Sequence, residues 1–180
     1  MTKQSIMNNS NSSASSDHPS WSYRYTDNGD GTVTDNLTGL IWLKDANYFG
    51  RLDWQTAQSM VADLASGKCN LYDGSSPGSW RLPTKDEWKK MIDKRFTWPS
   101  LSNAAGSAKW KDEDAFTNVQ ANWYWSSTTL AFASSYVWYV GLFRGEVRNA
   151  TKTTLRFCMA CARENLILIV TTRSKVHENI

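Results

Sequence analysis

Cysteine is scarce in this chain of 180 residues, and its three copies are odd in number. Cys69, Cys158 and Cys161 therefore cannot form a closed disulfide framework. The last two have zinc or redox spacing, but a structural zinc site needs two more ligands, and only His18 and His177 are available. Residues three apart on a strand face opposite sides, so the two thiols would not meet at one metal or redox site. We therefore interpret both cysteines as small core residues. A disulfide from Cys69 to either one stays open in an oxidising compartment.

Long hydrophobic runs are also missing. The nearest candidate for a membrane span, the aliphatic run at residues 166–170, is far shorter than the roughly 20 residues that cross a bilayer. Residues 1–20 contain no apolar segment of the kind that a secretory signal needs. A mean hydropathy of -0.53, with 41% hydrophobic residues and ten Trp, is typical of a globular domain. We expect a soluble chain without membrane insertion or a visible export signal, and the localisation stays open.

Strong net charge is absent as well, because the balance is only +3. A charge this small gives no reason to expect a nucleic-acid partner. Residues 144–163 are locally basic, however, with five cations against the single acid Glu146. Such an excess favours an anionic partner, either an anionic glycan or the acidic surface of a cell-surface protein; the alternative is scattered, solvated charge. The five cations are Arg144, Arg148, Lys152, Arg156 and Arg163.

Composition divides the chain into three parts. Residues 1–20 are rich in Ser and Asn, which predicts a disordered leader. Residues 21–163 hold every aromatic side chain and form the predicted domain. Residues 164–180 form a tail in which residues 166–170 could add one more strand. That strand would cover a sheet edge or pair between subunits.

Local signals predict two helices within the domain. Asp53 is a typical N-cap for a helix over residues 54–65. Thr84 and Glu87 form a capping box for a second helix that ends near Lys94. Between residues 95 and 120 no periodicity is visible, and we expect a long loop pinned to the core by Trp98, Trp110 and Phe116.

Turn signals and short apolar runs predict the strands. Asn-Gly-Asp-Gly at residues 28–31 indicates a hairpin rather than a calcium loop, since Gly occupies two positions where oxygen ligands belong. An Arg-Gly turn at residues 144–145 predicts a second hairpin. The predicted strands are residues 22–26, 32–35, 40–43, 123–128, 137–143, 146–149 and 155–162.

Residues 138–143 show a period of two, typical of a strand with one buried side, and the return strand begins at Glu146 after the turn. One set of side chains is predicted to fill the core, namely Trp138, Val140, Leu142 and Val147. The alternating set is predicted to face solvent, namely Tyr139, Phe143, Arg144, Glu146 and Arg148. Exposed aromatics among mixed charges indicate a contact surface. The alternative is that a loop, or another subunit of a homo-oligomer, covers the aromatics.

Five motifs carry a resemblance to a known family. RYTDNGDGTVTDNLTGLIWLKDAN, LDWQTAQ, WRLPTKDEW, NWYWSSTT and a WYV-to-CAR segment follow one another in that order. Together they resemble the C-terminal domain family of collagen-like bacterial adhesins, the Lcl C-terminal domain. The resemblance implies an α+β, C-type-lectin-like fold with two helices packed against antiparallel sheets. Its ligand-binding sheet would come from the C-terminal third.

The chain also departs from the lectin pattern. No Glu-Pro-Asn, Gln-Pro-Asp or Trp-Asn-Asp triplet occurs, so calcium-dependent sugar binding is not expected, and we predict no metal or other cofactor. Large and charged residues stand at outward positions where Asn, Gly and Ser are common in the family. This resembles the hypervariable proteins of diversity-generating retroelements. The predicted ligand-binding residues are Leu130, Phe132, Tyr136, Tyr139, Gly141, Phe143, Arg144, Glu146, Arg148, Asn149, Thr151 and Leu155.

Three classes of function remain at this point. The first is a ligand-binding adhesion module that presents an aromatic and basic surface. The second is a structural, oligomeric head domain of a surface or phage fibre. The third is an enzyme, because formylglycine-generating enzymes share the fold class and use cysteines. Against catalysis, the chain has no His within the domain to activate Cys158 or Cys161, and we predict no catalytic residue.

Overall fold

The structure, a computed structural model, describes residues 23–112 and 114–163. The predicted leader at residues 1–20 and the predicted tail at residues 164–180, with its extra strand, lie outside the described residues. Within the described part the elements are β1 (Tyr25–Asp27), β2 (Thr32–Asp35), β3 (Leu40–Leu43), β4 (Arg51–Leu52), α1 (Trp54–Ala62), α2 (Lys85–Met91), β5 (Trp123–Leu130), β6 (Ala133–Gly141), β7 (Glu146–Thr151), β8 (Arg156–Phe157) and β9 (Cys161–Arg163).

The strands form two sheets. One has the order β1-β2-β3-β9 and the other the order β4-β8-β5-β6-β7. Neighbouring strands run antiparallel except for β5 and β8, which are parallel. The predicted α+β class is therefore confirmed. Within residues 23–112 and 114–163, no helix is long and apolar enough to cross a membrane.

Both helices begin where their caps were predicted. The Asp53 carboxylate accepts the N–H groups of Gln55 and Thr56, and the Thr84 hydroxyl accepts that of Glu87. Each helix buries one stripe of side chains and ends about three residues earlier than predicted, with Asp63 as the C-cap of α1 and the extended Ile92 as that of α2. Trp54, Ala57 and Val61 form that stripe in α1.

The capping box of α2 is reinforced by an ion pair. Arg81 Nη1 and Nη2 donate to the two Glu87 carboxylate oxygens at 2.8 and 2.6 Å, and the Thr84 N–H donates at 2.7 Å. Partial burial alone would raise the pKa of Glu87. The Arg81 and Thr84 hydrogen bonds outweigh it and lower that pKa from 4.5 to about 2.

We expect this carboxylate to stabilise the fold above pH 4.5 and to lose that contribution as the pH falls towards 2. The sign follows because a pKa depressed by folding means that the unfolded chain takes up the proton first. Urea unfolding of wild type and Glu87→Gln should show a difference in unfolding free energy at pH 7 that shrinks at pH 3. A difference that stays constant between these pH values would contradict the assignment.

The core consists of two clusters on opposite sides of the five-stranded sheet. Trp88 of α2 lies in the first and Trp54 of α1 in the second. Their indole N–H groups donate to adjacent carbonyls of β5, Trp88 to Trp125 at 3.0 Å and Trp54 to Ser126 at 2.8 Å. The β5–β6 register shifts just beyond Trp125, which frees these carbonyls from the regular ladder. Each helix is thus anchored to one strand.

The predicted strand over residues 155–162 is split. Arg156–Phe157 belongs to the five-stranded sheet and Cys161–Arg163 to the other, because the chain crosses between the sheets through three buried residues. Cys158 lies in the second cluster and Cys161 in the first, which confirms them as core residues on opposite sides. Neither they nor Cys69 form a disulfide.

The long loop is only partly anchored as predicted. Phe116 is fully buried in the first cluster, and Trp110 packs against that cluster from its edge. The prediction for Trp98 is wrong, because this side chain is 60% exposed. Its ring rests on Phe143, 5.7 Å between centroids, at the outer rim of the sheet rather than in the core.

Candidate functional site

Strand β6 carries the predicted alternation only in part. Val140 and Leu142 are fully buried in the first cluster, as predicted. Trp138, predicted to lie in the core, is half-buried with Lys85 Nζ 4.6 Å from its ring centroid. Tyr139, predicted to face solvent, is only 8% exposed. Tyr139 is buried because its side of the sheet is covered as well, by the second core cluster around Trp54 of α1.

The other predicted binding residues are spread along the sheet. Trp123 pairs with Gly141 at one end of the β5–β6 ladder and Leu130 with Ala133 at the other, about 20 Å apart at the usual rise of a strand. The predicted residues therefore do not form one patch. Tyr139 and Gly141 are buried; Leu130, Phe143, Glu146 and Thr151 are half-buried; Phe132, Tyr136, Arg144, Arg148, Asn149 and Leu155 are exposed.

One end of the sheet does gather aromatic and basic side chains. Trp123 packs edge-on against Tyr139 at 4.9 Å and Phe143 at 4.5 Å between ring centroids. The guanidinium carbon of Arg148 lies 5.5 Å from the centroid of Trp123, and that of Arg156 lies 3.5 Å from the centroid of Tyr139. We call these five residues the aromatic–basic face.

Gly141 lets the rings of this face close over the strand. A Cβ at this position would lie 2.6 Å from the Trp123 ring and 2.7 Å from the Phe143 ring. Glycine inside a strand often marks such a close approach.

We expect Gly141→Ala to destabilise the protein by about 1–3 kcal/mol, the usual effect of overpacking. It should also displace the rings of Trp123 and Phe143. Urea unfolding measures the first effect and near-ultraviolet circular dichroism the second. An unchanged near-ultraviolet spectrum would show that the rings do not lie across Gly141.

Of the two arginines of the face, Arg148 pairs with Glu146, whereas Arg156 has no ion-pair partner among the described residues. Its Nε atom is buried without a hydrogen-bond partner, and its guanidinium makes no ion pair with the described residues. Burial lowers the pKa of Arg156; the nearby Tyr139 opposes this effect, and the positive charge of Arg51 adds to it. The cation is therefore held on aromatic rings, partly out of water, and no acidic side chain within residues 23–112 and 114–163 pairs with it.

Further cations border this position. Arg51 donates from Nη2 to the Leu155 carbonyl at 3.1 Å, and Lys152 Nζ lies 4.5 Å from the ring centroid of Trp54. Glu146 lies on the same strand as Arg148, with Oε2 2.7 Å from Arg148 Nη2. That contact is an ion pair rather than an aligned hydrogen bond, because the same oxygen has no hydrogen-bond donor. Of the cations named here, Arg51 acts on Arg156, since its positive charge further lowers the pKa of that guanidinium.

Sequence reasoning missed Trp123 and Arg156 as site residues. Trp123 and Trp125 alternate with Tyr124, so the period of two could have placed Trp123 and Trp125 on one side of the strand, the side that meets Tyr139. Arg156 was counted among the basic residues but left out of the predicted site, because its neighbour Leu155 was taken to point outward. Phe157 instead packs on the buried ring of Tyr124, 5.6 Å between centroids, and this turns Arg156 towards the aromatic rings.

The two buried thiols are poorly suited to act as nucleophiles. Burial raises the pKa of both Cys158 and Cys161 to about 12, so both stay protonated near neutral pH and are poor nucleophiles. Within residues 23–112 and 114–163, no three His, Cys, Asp or Glu side chains lie close enough to hold a metal ion.

Comparison with known proteins identifies a family. The model of the Lcl C-terminal domain matches residues 31–163, a span that includes both helices and every strand from β2 to β9. A comparison with curated proteins finds no match. The aromatic–basic face lies inside the matched span. The chain belongs to the Lcl C-terminal domain family.

Proposed function

We propose that this domain is an adhesion module that binds an anionic partner through the aromatic–basic face. Membership of the Lcl C-terminal domain family associates the chain with adhesins. The observation that carries the proposal is the guanidinium of Arg156, stacked 3.5 Å from the Tyr139 centroid without an anionic partner among the described residues.

An anion would relieve the electrostatic cost at this position. A half-buried cation beside Arg51 loses hydration without gaining a counter-charge, which is why its pKa is lowered. A sulfate or carboxylate group bridging the guanidinium edges would supply charge-assisted hydrogen bonds, the strongest kind in proteins. The exposed Arg148 offers a second cation on the same Trp123 ring.

The aromatic rings add contact area at low entropic cost. Trp123, Tyr139 and Phe143 hold one another edge-on, so little side-chain freedom remains to be lost on binding. Trp, Tyr and Arg are the residues most enriched at binding hot spots. We therefore favour an acidic or sulfated glycan, whose repeating rings and charges would match alternating aromatic and basic groups. An acidic protein surface is the alternative partner.

The fold supports a display role. The face lies on β5, β6, β7 and β8, strands that are held from both sides by the two core clusters. We propose that the architecture is C-type-lectin-like, with this sheet as the ligand-binding sheet. Such a rigid base presents the face without rearrangement.

Binding of a heparin oligosaccharide, measured by isothermal titration calorimetry, tests the proposal. Arg156→Gln should weaken binding about tenfold or more, as expected when a central contact is removed. Lys90→Gln removes the same charge from the exposed surface of α2 and should leave the affinity nearly unchanged. Equal affinities of both variants, with unchanged melting temperatures, would refute the proposed face.

A further inference from the structure

A second concave site lies away from the aromatic–basic face. It is a cavity of about 570 Å³ between the β1–β2 turn, the end of β3 and the loops around residues 70 and 115. This volume is in the range of small-molecule sites. Its polar and aromatic lining includes Asp45, Asn70, Tyr72, Asp112, Thr117 and Asn118, and none of these residues belongs to the aromatic–basic face.

The walls of this cavity are held by backbone contacts. Thr117 and the chain beside Asp45 exchange two hydrogen bonds of 3.0 Å, one from the Ala46 N–H and one to the Lys44 carbonyl. On the other side the Asn70 carbonyl oxygen lies 2.2 Å from where a Cβ on Gly31 would be. Only glycine at position 31 permits this approach. The cavity is therefore part of the fold.

Unusual backbone conformations are concentrated around the cavity. Among the described residues, four non-glycine residues have positive φ, and three of them, Cys69, Asn70 and Asn118, line this cavity. Their φ angles are +55°, +56° and +57°. Such conformations are uncommon and cluster at ligand-binding positions.

The polar lining has unused hydrogen-bonding capacity. The side chains of Asn70, Thr117 and Asn118 form no hydrogen bond with other described residues. Asp45 accepts the Asn47 N–H at 2.9 Å, and Asp112 accepts the Asn118 N–H at 3.1 Å, which leaves further lone pairs on both carboxylates. The cavity thus offers donors and acceptors together.

One aromatic ring stands at the rim of this polar cavity. Tyr72 is 75% exposed, an unusual position for a large side chain that has no covering partner among the described residues. Its ring offers an apolar face, and its hydroxyl adds another hydrogen-bonding group. A ligand of this cavity would therefore need both hydroxyl groups and an apolar side.

We propose that this cavity binds an uncharged sugar ring. Asp45 and Asp112 disfavour an anion, and Lys44 is already paired with Asp27 at 2.6 Å. Amide side chains at positions 70 and 118 suit a ligand that donates and accepts, as sugar hydroxyls do. The C–H face of the ring would stack on Tyr72. This site is independent of the proposed anion-binding face.

Saturation-transfer difference NMR with the full chain tests this assignment. The probes are the methyl glycosides of glucose, galactose and mannose, and N-acetylglucosamine, at millimolar concentration. At least one should receive saturation on one face of its ring. Tyr72→Ala should weaken binding about tenfold or more, while Tyr72→Phe, which keeps the ring, should retain most of it.

Two further variants make the test specific. Thr117→Val removes one lining hydroxyl at nearly constant shape and should weaken sugar binding without lowering the melting temperature. Arg156→Gln should leave sugar binding unchanged, which separates this site from the anion-binding face. Failure of every sugar to bind wild type, equal binding by Tyr72→Ala, or binding of methylammonium instead of sugars would each overturn the proposal.

Discussion

Phe116→Ala should lower the free energy of unfolding by about 3–5 kcal/mol, the usual loss when a buried phenylalanine leaves a cavity. Phe116 is completely buried and packs edge-on against Tyr25, 5.0 Å between centroids. Its carbonyl also accepts the indole N–H of Trp110 at 3.0 Å. Because this residue anchors the loop before β5 in the core, the loop and the cavity wall at Thr117 should loosen together.

Phe132→Ala is a matched control, since it is the same substitution at a side chain that is 101% exposed. It should change stability by no more than about 0.5 kcal/mol. Urea unfolding followed by tryptophan fluorescence measures both variants. Similar losses for the two would mean that Phe116 is not a core residue or that the β5–β6 turn packs against something.

Asp35→Asn should cost about 3 kcal/mol or more, because it breaks a buried ion pair on one side only. The Asp35 carboxylate is almost fully buried and accepts Arg24 Nε and Nη2, both at 2.8 Å. It also accepts the Leu37 N–H at 3.0 Å. An amide keeps the shape but removes the charge and one acceptor, so the Arg24 cation is left under-compensated.

The exposed pair of Asp86 and Lys89 provides the control. Asp86→Asn breaks a contact of 3.1 Å between side chains that are at least half exposed. Exposed pairs contribute at most about 1 kcal/mol, and high salt weakens them further. Thermal unfolding at low and high salt should separate the variants. A loss for Asp35→Asn no larger than for Asp86→Asn would show that Arg24 finds another acceptor.

Ligand binding at the two proposed sites should respond differently to ionic strength. The aromatic–basic face should depend strongly on ionic strength, because its partner is an anion. Binding in the cavity at Tyr72 should not depend on it, because the ligand carries no charge.

The suggested hypervariability of the C-terminal strands stays a prediction. Sibling genes that differ mainly at exposed positions such as Tyr136, Arg144 and Arg148 would support it.

Sequence alone determined the features that depend on neighbouring residues. The starts of α1 and α2 were predictable because a cap needs only Asp53, or Thr84 with Glu87, within one turn. The bounds of β3 were predicted without error. Family membership and the α+β class could also be predicted, since ordered motifs and apolar periodicity are properties of the chain itself.

Tertiary structure alone decided which side chains form the candidate sites. Tyr139 is buried because α1, more than seventy residues earlier, covers its side of the sheet. Arg156 meets Trp123 only through the register of β8 against β5. The cavity brings together loops around residues 30, 45, 70 and 115. Local periodicity shows which side chains share a side of a strand, but distant packing decides whether that side meets solvent.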